Sequence, residues 1–339
     1  MGLDLSDLVE PKPCALKDLR GRAIAIDGYN ALYQFLSSIR QADGTPLMDS
    51  KGRVTSHLSG TFHRTANLLE AGIRPVYVFD GKPNPLKAGT LRERRQRKEK
   101  AQAEWDRALE EGDLETARTK AQQTSRLTKE MAAQAMELLG HMGVPCVEAP
   151  EDGEAQASHM AAKGQVYAAA SQDYDSLLFG APVLVRNMTL SGRRKLPRRN
   201  VYIDVVPEVL RLVDVLASLE ITREQLVDMG VLMGTDFNQG VRGIGPKKAL
   251  KLIKKHGSGE AAIKEKKLDV PGFANVRDIF LKPRVRDDYG LSWGRADRGK
   301  ILAMLCGEFE FSEQRLAVTL DKISEGQKAR AQQSLDSWF

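Results

Sequence analysis

The chain has 339 residues, 42% hydrophobic and 28% charged, with 51 lysines and arginines against 45 acids, a net charge of +6. That balance suits a globular protein with a sizeable core, and a mild basic excess favours a polyanionic partner if the charge is clustered. Cys14, Cys146 and Cys306 are few and far apart, which excludes a disulfide framework or zinc knuckle; no apolar run approaches a membrane span. A reduced, intracellular protein without a membrane partner is expected.

In chain order, "RAIAID" (Arg22 to Asp27) reads as a short apolar strand, and "GYNALYQFLSSIR" after it as a helix, with Ala31, Leu32, Phe35, Leu36 and Ile39 on one face. "VTSHLSGTFHRTANLLEAG" is a second amphipathic helix stopped at Gly72, and "RPVYVFD" a second strand ending in Asp80. Residues 82–125 are polar and charged, with almost no apolar periodicity. "SRLTKEMAAQAMELLGHMG" gives a helix, "VPCVEAP" a strand, "EDGEAQASHMAAKG" a helix and "QVYAAASQD" a strand. This alternation predicts an α/β fold, a mostly parallel central sheet flanked by helices. After Gly234 the chain turns to short helices and loops, and its last nine residues read as a free tail.

Three apolar strands end on aspartates: Asp27, Asp80 and the pair Asp173/Asp175. In a strand, side chains two apart share a face, so the pair is expected to converge. Another strand–helix junction carries Asp152 and Glu154, and Asp236 follows a further helix in "VLMGTDF". One such aspartate would ordinarily cap a helix or open a loop. Several junctions together point to the carboxyl edge of a sheet, where α/β proteins bind ligands. Oxygen ligands without matching histidine or cysteine call for Mg²⁺ or Mn²⁺, and this many carboxylates suits two ions about 4 Å apart, as in phosphodiester-cleaving enzymes.

The basic counterpart is clustered. "LRERRQRKEK" lies in the polar segment beside Asp80, where Lys87 and Arg94 are candidates to touch a scissile phosphate. In "GVRGIGPKKALKLIKKHG", Gly243 and Gly245 precede a helix with Lys247, Lys248, Lys251, Lys254 and Lys255 on one arc and Ala249, Leu250, Leu252 and Ile253 on the other. Glycines and a helix N-terminus admit a phosphate closely, as in a helix–hairpin–helix grip on duplex backbone. "SGRRKLPRR" (Ser191 to Arg199) is a third basic stretch with only its charge to recommend it.

Four blocks, "AIAIDGYNALYQFL", "RPVYVFDGKP", "EDGEAQASHMAAKGQVYAAASQDYDSLLFG" and "MGTDFNQGVRGIGPKKALKLI", resemble the flap endonucleases in the same order along the chain. The resemblance implies a PIN-like 5′-nuclease domain over 1–330, with a helical arch insertion at about 82–125 and a helix-turn-helix DNA-binding element at about 222–257. It implies a Mg²⁺-dependent, structure-specific 5′ nuclease, with flap endonuclease and 5′–3′ exonuclease activity, acting on branched or nicked DNA in replication and repair. It gives metal-ligand roles to Asp27, Asp80, Asp152, Glu154, Asp173, Asp175 and Asp236, and matches Lys87 and Arg94 to the basic pair of the arch. Tyr33 matches an aromatic that stacks a base beside the cleaved bond; Gly2, Arg40 and Arg64 match positions near the DNA, and a K⁺ ion is expected at the helix-turn-helix element. Asp152 departs from the family pattern, which has glutamate there; the shorter side chain puts its direct ligation in doubt.

The tail "QQSLDSWF" resembles sliding-clamp-binding peptides, with Gln332 for a small polar pocket and Leu335, Trp338 and Phe339 as an apolar plug. A flexible segment 331–339 that binds the clamp (PCNA) is expected. The chain stops at this motif without a basic extension, which favours an archaeal source with a cytoplasmic or nucleoid location, and a monomer is expected. The rival readings are a related 5′–3′ exonuclease or repair nuclease of the same superfamily and a catalytically inactive DNA-clamp adaptor.

Overall fold

The computed structural model describes residues 3–189, 193–195 and 202–336. Gly2, Trp338 and Phe339 lie outside them, as does most of the 191–199 stretch. The strands are β1 (Lys12–Pro13), β2 (Ala23–Asp27), β3 (Arg74–Phe79), β4 (Cys146–Glu148), β5 (Ala168–Ala170), β6 (Val183–Arg186), β7 (Arg193–Lys195), β8 (Tyr202–Asp204) and β9 (Glu208–Arg211). The helices are α1 (Gly28–Ser38), α2 (Ser56–Glu70), α3 (Ala88–Glu110), α4 (Leu114–Ala121), α5 (Lys129–His141), α6 (Gly153–Ala162), α7 (Asp175–Leu178), α8 (Leu212–Leu219), α9 (Arg223–Met233), α10 (Pro246–His256), α11 (Gly259–Lys266), α12 (Phe273–Leu281), α13 (Arg298–Leu302) and α14 (Glu313–Asp336).

Seven strands form one sheet in the order β1-β9-β6-β5-β2-β3-β4. β2 to β6 run parallel, as the alternation predicts, while β9 pairs antiparallel with β6 and β1 antiparallel with β9. The chain winds outward from β2 to β3 and β4, then crosses back to β5 on the other side of β2. That reversal opens a crevice at the carboxyl ends of β2 and β5.

The short apolar strands are buried on both faces. Ile24, Ile26, Tyr77, Phe79, Ala168 and Ala170 face the core built with Phe35, Phe62 and Leu138 of α1, α2 and α5. Ala25, Val76, Val78 and Ala169 face Ala157, Met160 and Ala161 of α6, where Tyr289, Leu291 and Trp293 complete the layer. Burying each large side chain is worth about 1.5–3 kcal/mol, and a one-residue slip would exchange the two faces. The register is therefore fixed, and so is the height at which each strand ends. A further core joins α7, α8, α9, α10 and α12 with Leu3, Leu5 and Val9.

Residues 82–125 hold two helices, α3 and α4, that pack on one another, and the residues these helices bury are alanines, Ala101, Ala108, Ala117 and Ala121. Alanine carries a weak hydrophobic signal, so the sequence reads as unpatterned there. The free tail expected from residue 331 differs as well, since α14 runs on through Asp336 and carries Gln332 and Leu335 on its final turns. The run "ARAQQSLD" contains no glycine or proline to stop a helix that Leu316, Leu320 and Ile323 anchor in the core.

Beyond the strand ends, β3 and β4 stay zipped together. Ala149 N–H donates to the Phe79 carbonyl (2.8 Å), Gly81 N–H to Glu151 (2.9 Å) and Lys82 N–H to Pro150 (3.1 Å). A Cβ on Gly81 would fall on the carbonyl oxygens of Ala149 and Pro150. Neither backbone segment can yield without parting the two loops that carry Asp80 and Asp152. Gly81→Ala is therefore expected to lower the unfolding free energy by about 2 kcal/mol in urea titration; an unchanged midpoint would contradict this packing.

Candidate active site: an acidic cleft under a basic arch

A cleft of about 2240 Å³ opens at the carboxyl edge of the sheet, with Asp27, Asp80, Asp152, Glu154, Asp173 and Asp236 in its lining. Six of the seven candidate carboxylates, Asp27, Asp80, Asp152, Glu154, Asp175 and Asp236, accept from a donor of the protein. Asp27 caps α1 by accepting from Asn30 N–H (2.9 Å), and Asp152 caps α6 by accepting from Glu154 N–H (2.9 Å) and Ala155 N–H (3.3 Å). Helix capping and cleft lining thus coincide in the same residues. Asp80 accepts from Gly153 N–H at 2.7 Å, beside the N-terminus of α6. A Cβ on Gly153 would lie 2.9 Å from Asp80 Oδ1, so glycine admits this approach. The Ser171 hydroxyl donates to Glu154 Oε1.

The Asp173/Asp175 pair does not share a strand face as expected. β5 ends at Ala170, and Asp175 begins α7. Asp173 lines the cleft, whereas Asp175 is 4% exposed, outside the lining, and accepts from Leu3 N–H at 2.8 Å. The N-terminal segment is therefore tied to the site through Leu3.

So many acids in one place distort one another's ionisation. Burial first, and then the charge of Asp80, holds Asp27 well above the usual carboxylate range; burial and then Asp175 do the same to Glu154. Burial and Asp236 raise Asp173. Burial and Asp152 push Asp80 to about 6, and burial and Asp173 push Asp175 to about 7. Burial opposes the charge on Lys87, but Asp152 and Asp80 outweigh it and keep the ammonium protonated.

Cations from the arch enter this field. Lys87 Nζ lies 2.5 Å from Asp152 Oδ2 and 5.1 Å from the centre of the Phe237 ring. Arg94 Nη2 donates to both carboxylate oxygens of Asp236, at 2.7 and 2.8 Å. Lys98 sits 4.6 Å over the Tyr33 ring, and Tyr33 is 39% exposed in the cleft wall. The two sequence-predicted arch cations therefore meet two of the predicted metal ligands.

Other predicted residues lie further out. Arg40 donates to the carbonyls of Leu36 (2.8 Å) and Gly44 (2.7 Å) and to Ser125 Oγ (2.9 Å), next to Trp105. Arg64 is half-buried on α2, and neither arginine lines the cleft. On α10, Lys247, Lys248 and Lys251 are exposed while Ala249 and Ile253 are buried. Gly243 takes φ +82°, and a Cβ on it or on Gly245 would meet nothing within 4 Å, so the backbone there is open to a large ligand. Ser171, Leu3 and Lys98 escaped the sequence reading, because their roles arise from folding distant segments together.

Among the described residues, no three carboxylate, imidazole or thiolate side chains are already set to hold an ion. Their oxygens are turned onto protein donors and arch cations instead. The donor set still fits a hard divalent cation, being all oxygen and mutually repulsive. An α/β fold with such a cleft at its strand ends and a basic arch above defines a class, the phosphodiester-cleaving nucleases.

Family comparisons make this specific. The XPG N-terminal domain matches residues 4–101 and the XPG I-region residues 143–236. The chain is 51% identical to flap endonuclease 1 of Pyrococcus furiosus, over 100% of this chain and 99% of that protein. It is 48% identical to flap endonuclease 1 of Methanosarcina acetivorans over the full length of both. The solved flap endonuclease-1 from Methanococcus jannaschii superimposes with a TM-score of 0.77 at 40% identity, covering 98% of this chain and 100% of that one. The chain belongs to the flap endonuclease 1 family, whose nucleases are metal-dependent.

The raised carboxylates give stability a defined pH dependence. A carboxyl whose folded pKa exceeds its unfolded value binds protons in the native state first, so the cluster loses stability as pH rises through its folded pKa. For Asp80 and Asp175 the loss runs from the ordinary carboxylate value of 3.8 up to their folded values of about 6 and about 7. With chelator present, the melting temperature is expected to be higher at pH 5.5 than at pH 8, and added Mg²⁺ to raise it more at pH 8. A metal-free protein equally stable at both would contradict the raised carboxylates.

Proposed function

We propose that this chain is a structure-specific 5′ flap endonuclease, with 5′–3′ exonuclease activity, acting in DNA replication and repair. The observation that carries this reading is one cleft in which acids from separate strand ends lie beneath cations of a helical arch. The cofactor is proposed to be two Mg²⁺ ions, replaceable by Mn²⁺, held by Asp27, Asp80, Glu154, Asp173, Asp175 and Asp236, with Asp152 acting at one remove. When bound, these ions supply an activated water and neutralise charge on the leaving oxygen.

The chain's own residues do the rest. Lys87 and Arg94 hold fixed positive charge beside the acids and are the groups that would take the scissile phosphate once Asp152 and Asp236 turn to metal. Tyr33 offers a ring on which the base next to the cut stacks. The N-terminus of α10, with Gly243, Gly245, Lys247, Lys248 and Lys251, holds duplex backbone without reading bases, and a K⁺ ion at this element would add positive charge toward the phosphates. The arch spans about 82–125 and the helix-turn-helix about 222–257 of a single nuclease domain. Gln332, Leu335, Trp338 and Phe339 are proposed to engage the sliding clamp. The enzyme is read as an intracellular monomer; among the described residues no helix is long and apolar enough to cross a membrane.

Asp173→Asn tests the role of the acids. Cleavage of a labelled 5′-flap duplex in Mg²⁺ is expected to fall by more than about 100-fold while flap binding is retained, because the change removes metal-directed charge and leaves the phosphate grip. Near-normal cleavage would refute the assignment.

A further inference from the structure

The segment between α9 and α10 closes on itself before it reaches the duplex-binding glycines. Gly234 takes φ +101° and Gly240 φ +65°; a Cβ on Gly234 would lie 2.7 Å from the Gln239 carbonyl oxygen, and one on Gly240 would strike the backbone of Met233 and Gly234. Within the loop the Thr235 hydroxyl donates to Asn238 Oδ1 (2.9 Å), and Asn238 Nδ2 donates to the Val231 carbonyl (2.8 Å). Close backbone approach and satisfied internal hydrogen bonds leave this loop little freedom.

One face of α3 is seated on it. Thr90 Oγ1 donates to the Asp236 carbonyl (2.9 Å), Arg94 holds the Asp236 carboxylate, and Gln239 Nε2 donates to Glu93 Oε1 (2.7 Å). Positions 90, 93 and 94 are neighbours on a helix surface. A few residues beyond Gln239 the chain reaches Gly243 and Gly245. The same loop therefore touches the arch on one side and leads into the phosphate grip on the other.

We propose that Glu93 and Gln239 are positioning residues that fix the arch cations relative to the duplex grip, and so fix which phosphodiester of the flap strand is cut. This rests on the nuclease reading above. The acids stand at strand ends that the core holds in place, whereas the arch meets the rest of the chain through side-chain contacts, Trp105 on the Asp43 carbonyl and Lys98 on Tyr33 at one side and this loop beside the acids at the other. Glu93 has a second neighbour, Arg97, with Nη2 at 3.6 Å, toward which its carboxylate can turn if Gln239 is lost. The Glu93–Gln239 contact is superficial, so its loss leaves folding intact and shows in the cutting position.

The test uses the full chain in Mg²⁺ with an end-labelled 5′-flap duplex, products resolved to the nucleotide in single turnover. The wild-type protein is expected to give one dominant cut. Gln239→Ala and Glu93→Ala are each expected to raise the share of neighbouring cuts by about fivefold, the weight of one hydrogen bond in a population ratio. KM for the flap and the melting temperature should stay near wild-type, and the double alanine variant should be no worse than either single. Exchanging the partners, Glu93→Gln with Gln239→Glu, keeps a carboxylate–amide pair and should restore the single cut. Alanine variants with the wild-type product pattern, or an exchange variant as scattered as the singles, would overturn the inference. A wild-type chain unable to cut the flap would overturn the nuclease reading and this inference with it.

Discussion

Mutual repulsion among carboxylates that the sheet forces together governs this structure. β2, β3 and β5 are buried on both faces, so their register cannot slip to let the acids spread apart. Backbone N–H donors of Asn30, Gly153, Glu154 and Leu3 then hold Asp27, Asp80, Asp152 and Asp175 in place. Burial, and then the charge of the neighbouring acids, raises Asp80 to about 6 and Asp175 to about 7, and the acids draw cations inward. Stability is lost there to keep a site ready for charge that the chain does not itself provide.

The arch answers part of that demand. Lys87 on Asp152 and Arg94 on Asp236 are pairs between partly buried groups, where charge-assisted hydrogen bonds are strong and short. Both cations line the same cleft as the acids and pair with two of them. The same electrostatics supports the proposed use of the arch, in which metal at the acids and phosphate at Lys87 and Arg94 would exchange for these two ion pairs. The seat of α3 on the loop from Gly234 to Gly240 gives that exchange a fixed location.

Much of this was legible in the sequence because strand and charge signals coincide. "AIAID" and "PVYVFD" announce both a buried strand and the acid that ends it, and the lysine arc of α10 separates cleanly from Ala249 and Ile253. Asp175 shows the limit of such reading. Spacing of two implied a shared strand face, but the strand ends at Ala170 and a helix turns Asp175 beneath the cleft floor toward Leu3. Contacts such as Ser171 with Glu154, or Gln239 with Glu93, join segments whose proximity no local pattern encodes. The arch helices were hidden for another reason, since buried alanines amid charged residues have almost no hydrophobic periodicity to detect.

Anomalous diffraction from crystals grown in Mn²⁺ tests the central claim most directly. The account predicts two manganese peaks in the cleft, roughly 4 Å apart, bounded by Asp27, Asp80, Glu154 and Asp173, with Lys87 and Arg94 withdrawn from Asp152 and Asp236. A cleft without manganese at saturating metal, or ions bound only elsewhere on the surface, would contradict it.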